Sequence, residues 1–221
     1  VEFITMVDLR TILDTIETSR IKAGFWENVE LVAVSKNVTE NEVLKLFNQG
    51  QRAFGENRVQ ELKRKNEILS EYPIKWHLIG TLQSNKINQM ISLRPTLWQS
   101  CNSYELALAV DKRLDYKLDT LLEINIADES SKSGLEINLA VDSYLKIKDE
   151  CKNINLVGIM SIGAHTDDEK VVQKSFEDTF KIYQNLEKHG AKICSMGMSS
   201  DYELAISCGS NMVRLGTILY K

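Results

Sequence analysis

Leu31-Val32-Ala33-Val34-Ser35-Lys36, followed after Asn37-Val38 by Thr39-Glu40-Asn41-Glu42, is the stretch that decides the fold. Four apolar residues in a row, with no polar alternation, make a short strand buried on both faces, as in a parallel sheet. Thr39 and Glu42 have the spacing of a capping box, and Val43, Leu44 and Phe47 then supply one apolar helix face. The unit is strand, polar turn, helix.

The same unit recurs along the chain. Further strand-like runs are Arg52-Ala53-Phe54, Trp76-His77-Leu78-Ile79, Thr96-Leu97-Trp98, Thr120-Leu121-Leu122-Glu123-Ile124, Leu156-Val157-Gly158-Ile159, Lys192-Ile193-Cys194 and Met212-Val213-Arg214-Leu215. Helical patterns separate them. Ile137, Val141, Tyr144 and Leu145 mark one. Val172, Phe176, Phe180 and Tyr183 mark another, opened by a capping box at Thr166-Asp167-Asp168-Glu169. The first 28 residues read as an amphipathic helix on Leu9, Ile12, Leu13 and Ile16. Eight alternating units in 221 residues predict a single (β/α)8 TIM-type barrel over residues 1–221 with an extra N-terminal helix. A doubly wound open sheet is the alternative. Pro73 and Pro95 stand just before apolar runs, and no linker composition divides the chain.

Composition narrows the class. A net charge of −4 gives no global basic field for nucleic acid or anionic membrane. Lys63-Arg64-Lys65 reads as a solvated helix face. Cys101, Cys151, Cys194 and Cys208 form no C-x-x-C pair, and no apolar run approaches the ~18 residues of a membrane span. Free thiols without a secretion signal predict a cytoplasmic protein. The start Val1–Thr5, ahead of Met6, is given no functional weight. His77, His165 and His189 have no metal-ligand spacing, and neither a G-x-G-x-x-G nor a Walker loop occurs.

In such barrels ligands sit at the C-terminal ends of the strands, so the residues at and just beyond each strand end are informative. Ser35-Lys36 succeeds the first strand, and Gly55-Glu56-Asn57-Arg58 the second. His77 lies in the third, and Asn125 ends the fifth. Met196-Gly197-Met198-Ser199-Ser200-Asp201 succeeds the seventh; Arg214 lies in the eighth, before Gly216-Thr217. Lys36 is either a snorkelling lysine or an amine whose pKa burial lowers until it can attack an aldehyde. Ser199-Ser200 and Gly216-Thr217 suit a phosphate held by backbone N–H groups at a helix start, but Ser200-Asp201-Tyr202-Glu203 is equally a capping box. Arg214 in an apolar strand needs an acceptor: a ligand phosphate, a ring nitrogen, or a carboxylate such as Glu56 or Glu123. His77 reads more simply as a satisfied core histidine than as a base. Asp128–Gly134 reads as a polar loop at the barrel mouth.

These motifs, with His77-Leu78-Ile79-Gly80-Thr81-Leu82-Gln83-Ser84-Asn85-Lys86, resemble the pyridoxal phosphate homeostasis proteins, a group similar to the barrel domain of alanine racemase. The resemblance spans nearly all of the chain. It implies that pyridoxal 5′-phosphate (PLP) is held as a Schiff base on Lys36. It implies that the Ser199-Ser200 and Gly216-Thr217 segments hold the phosphate and that Asn57 and Arg214 lie beside the cofactor, with Met198 and His77 also among the cofactor-binding residues. Departures from the pattern are Asn102, Asn211 and Lys221. The implied function is PLP homeostasis by a non-catalytic carrier, with PLP-dependent apoenzymes as partners and a monomer as the expected state. A PLP-dependent racemase is the alternative. Two-base racemisation needs a second acid–base group from a further domain, for which this barrel leaves no residues.

Overall fold

The computed structural model describes residues 8–127 and 133–220. The expectations for Val1–Thr5, for residues 128–132 of the polar loop and for Lys221 lie outside the described residues.

Strands β1 (Glu30–Val34), β2 (Ala53–Glu56), β3 (Lys75–Leu78), β4 (Leu97–Cys101), β5 (Leu118–Asn125), β7 (Ile154–Ser161), β8 (Ile193–Ser195) and β9 (Met212–Leu215) pair in parallel, each with the next. Pairing of β1 with β9 and of β4 with β5 closes the ring into the expected eight-stranded barrel, which excludes the open sheet. A two-residue strand, β6 (Leu135–Glu136), extends the sheet beyond β5. Several strands run further than their apolar runs. β2 continues through Gly55 and Glu56, and β7 reaches Ser161, because neighbouring backbones satisfy them whatever the side chain.

Helices α2 (Glu40–Asn48), α3 (Val59–Ile68), α4 (Ile87–Leu93), α5 (Tyr104–Asp111), α6 (Ala140–Glu150), α7 (Glu169–Glu187) and α8 (Tyr202–Ser207) fill the seven crossovers. Thr39 forms the expected capping box with Glu42. The box at Thr166 does not form: Asp168 caps α7 through the Lys170 N–H, and the Thr166 hydroxyl accepts from the Asp168 N–H one step earlier. Helix α1 is Leu9–Ala23, ended by Gly24 in the left-handed region at φ 75°. It packs on α8, and its first N–H reaches the Gln49 side chain at the end of α2. The helix expected as an extra is thus present, and it lies between α8 and the end of α2.

Alternation along the strands divides the core in two. Leu31, Ala33, Phe54, Leu78, Trp98, Leu122, Ile159 and Val213 face the helices. Val32, Ala53, Leu97, Leu121, Met160 and Met212 form a separate cluster inside the barrel. Two residues further along, in the same inward phase, come Val34, Gly55, Gln99, Glu123 and Arg214; His77 is in register with Gly55, and Ser195, in register with Met160 and Met212, reaches Gln99 and Arg214 by hydrogen bonds. The lower interior is apolar and the upper interior polar. Another step brings Lys36, Asn57, Ile79, Asn125, Ile162 and Gly216 to the mouth.

Candidate functional site at the barrel mouth

Lys36 sits in a turn in which the Val38 N–H returns to the Ser35 carbonyl and Asn37 adopts a left-handed φ of 64°. The side chain is exposed. Of the two readings open for it, the exposed, snorkelling lysine is the one seen, and the desolvated group is its neighbour. Ser35 is buried, and its hydroxyl donates to Glu56 at 2.7 Å. Lys65 from α3 reaches both the Ser35 carbonyl (2.5 Å) and Glu56 (2.6 Å). Lys65, on sequence grounds part of a solvated face, is 1% exposed and forms a buried ion pair with Glu56. The pair fastens the backbone that carries Lys36. Asn57 and Arg58 come next along the chain from Glu56, both exposed, and with Lys36 they border a cavity of about 580 Å³.

The two segments expected to suit a phosphate meet. The Gly216 N–H donates to the Ser199 hydroxyl at 3.1 Å, joining the loop after β8 to the loop after β9. The space at Gly216 is bounded by Val34, so this junction adjoins the end of β1. Gly197 makes the turn possible: its φ is 96°, and a Cβ there would stand 2.6 Å from Ala205 Cβ. Ser200-Asp201-Tyr202-Glu203 does not form a capping box. Asp201 instead turns its carboxylate back to accept the Met198 N–H at 2.6 Å. That occupies one donor of the segment, and α8, at six residues, adds little dipole. The backbone N–H groups of Ser199, Ser200 and Thr217 have no acceptor among the described residues.

Arg214 is buried, and of the acceptors offered for it neither carboxylate, Glu56 nor Glu123, is the one it bonds. Nη1 donates to Ser195 Oγ at 2.7 Å and Nη2 to the Ser161 carbonyl at 2.8 Å. Burial lowers its pKa to about 10, against the fields of Glu123 and Asp201, so it stays a cation at neutral pH. Glu56 is committed to Lys65, and Glu123 accepts from Ser133, its own pKa raised by burial. His77 is 2% exposed, and burial lowers its pKa to about 4; its Nδ1 lies 3.0 Å from Gln99 Nε2. Gln99 and Ser195 are functional candidates that the sequence does not single out. The apolar run Thr96–Trp98 stops short of Gln99, and Lys192–Cys194 stops short of Ser195. The departure at Asn211 is structural: its side chain accepts the Cys194 N–H and donates to the Lys192 carbonyl. Asn102 donates to Ser133, at the edge of the mouth.

The geometry is thus an exposed primary amine at a strand end, a pair of joined anion-suited loops beside it, and a fixed cation below. Residues 7–221 match the family described as alanine racemase, N-terminal domain. A pyridoxal phosphate homeostasis protein of Helicobacter pylori is 46% identical over 223 residues, covering 98% of this chain and all of the relative. The chain belongs to the pyridoxal phosphate homeostasis protein family. Among solved structures, PipY of Synechococcus elongatus with PLP bound superposes with a TM-score of 0.80 at 27% identity, covering 95% of this chain and all of PipY. Alanine racemase of Clostridium difficile, in complex with cycloserine, shares the fold alone. Its TM-score is 0.77 at 17% identity, and this chain matches 59% of the racemase's length. Among the described residues no helix is long and apolar enough to cross a membrane.

Proposed function

We propose that this protein binds PLP at the barrel mouth and serves PLP homeostasis as a carrier rather than as a metabolic enzyme. The observation that carries the reading is the junction of Ser199 with Gly216 beside the end of β1, two residues before Lys36. PLP supplies an aldehyde, which a primary amine converts to a Schiff base, and a phosphate dianion. Lys36 is the amine suited to be that tether. The free N–H groups of Ser199, Ser200 and Thr217, with the hydroxyls around them, suit the phosphate, and Gly216 leaves room for its approach. Met198 borders the phosphate with its side chain, its N–H being held by Asp201. Asn57 would flank the tether, and Arg214 and His77 would lie on the interior side of the bound cofactor. The names borne by relatives support a carrier: they are homeostasis proteins, not enzymes. An open mouth suits reversible loading and delivery to PLP-dependent apoenzymes by a monomer.

Incubation with PLP, reduction with borohydride and peptide mass mapping test the reading. The expected result is one reduced adduct on Lys36, absent in Lys36→Ala. A protein that stays colourless and unmodified refutes PLP binding, and an adduct confined to another lysine refutes the site. Racemisation of alanine or serine faster than ~1 s⁻¹ would place the protein among ordinary enzymes and refute the carrier.

A further inference from the structure

We infer that Ser195 and Gln99, with His77 at the far end, are positioning residues that hold the Arg214 guanidinium in one orientation beneath the barrel mouth. The argument is one of hydrogen-bond direction. A guanidinium only donates, so Ser195 Oγ, 2.7 Å from Nη1, must accept. Ser195 then spends its single hydrogen on Gln99 Oε1 at 2.8 Å. That fixes the amide: its oxygen faces Ser195, and its nitrogen faces His77 Nδ1 at 3.0 Å and Met212 Sδ at 3.4 Å. His77 Nδ1 must therefore accept, and the imidazole carries its proton on Nε2. The chain runs one way, from β9 through β8 and β4 to β3, across the interior of the barrel. All four residues are buried, so bulk solvent does not compete for these bonds.

The consequence falls on Arg214. Its second anchor is the Ser161 carbonyl on β7, so the two Nη groups are tied to different strands. Loss of the Ser195 bond leaves one anchor, and the planar group can then turn. Ser195 gains its own fixed direction only because Gln99 accepts from it. Gln99 in turn is kept from flipping by His77, which offers an acceptor and, being neutral, no proton on Nδ1. The functional half of the inference rests on the PLP reading above, since an oriented cation matters to a ligand seated over it.

Side-chain NMR of Arg214 and His77, read beside PLP titration, tests the inference. In the unsubstituted protein the Nη groups of Arg214 should give separate signals, and the His77 ¹⁵N shifts should report the Nε2–H tautomer. Ser195→Ala should merge the Arg214 signals and weaken PLP binding roughly tenfold or more, the loss expected for one bond to a charged group. Gln99→Glu separates the two ends. At a pH high enough to ionise it, the carboxylate still accepts from Ser195, so the Arg214 signals should stay separate, and it cannot donate, so His77 should leave the Nε2–H tautomer. Circular dichroism confirms the fold of each variant, and Gln99→Met replaces Ser195→Ala should the latter fail to fold. Unchanged Arg214 signals in Ser195→Ala, or an unchanged His77 tautomer in Gln99→Glu, would overturn the inference. Absence of PLP binding by the unsubstituted protein would instead defeat the PLP reading, while the Arg214 signals would still decide the orientation.

Discussion

Acid should weaken this fold through His77, by an amount that can be worked out. Burial lowers its pKa from the ordinary 6.5 to about 4. The folded state therefore favours the neutral ring. Below pH 6.5 the unfolded chain gains a proton that the native protein refuses, so the stabilisation present above that pH is lost as pH falls toward 4. Integration of that difference gives a loss of ~2 kcal/mol between pH 8 and pH 5, rising to ~3 kcal/mol near pH 4. Other groups titrate over the same range, so the contrast with His77→Gln isolates the effect. That side chain can still accept from Gln99, and it has no titration. Urea unfolding of both proteins at pH 8 and pH 5, at fixed ionic strength, measures the two pH slopes. The unsubstituted protein should lose ~2 kcal/mol more than the variant. Equal losses would refute the argument that His77 is held neutral by burial.

Two further outcomes are expected from the site's supports. Lys65→Met leaves Glu56 buried without its cation and should cost ~3–5 kcal/mol in urea unfolding, whereas the double change Glu56→Gln with Lys65→Met should recover most of it. Gly197→Ala places a methyl group 2.6 Å from Ala205 Cβ at a φ of 96° and should cost ~1–3 kcal/mol. A drop in PLP affinity should accompany that change, read by titration at a temperature where the variant remains folded.

The barrel is legible because parallel strands buried on both faces leave uninterrupted apolar runs, as at Leu31–Val34, and because Thr39 and Glu42 mark a helix start by spacing alone. The site is legible only as a set of segments. Lys36, Ser199 and Gly216 can be picked out since each comes just after a strand, but their adjacency depends on ring closure, which no local pattern encodes. The partners of Arg214 are beyond reach for another reason. A buried cation calls for acceptors, and charge balance suggests carboxylates; a hydroxyl and a main-chain carbonyl serve as well once strands β7 and β8 bring them together. Lys65 misleads in the opposite sense. Its neighbours Lys63 and Arg64 are exposed, and only the depth of Glu56 at the end of β2 explains why one lysine of three turns inward.

The position of α1 beside α8 has a consequence for how the protein is made. Leu9, Ile12 and Ile16 bury their side chains in the finished molecule, and α1 packs there on a helix that begins at Tyr202. Roughly 180 residues separate the two, so at ribosomal speeds α1 emerges on the order of 10 to 40 s before the surface that receives it. For that interval the growing chain carries an uncovered apolar stripe. The ring can seal between β9 and β1 only once β9 has been made, and a chain stalled short of β9 leaves both edges of an unclosed sheet open to aggregation.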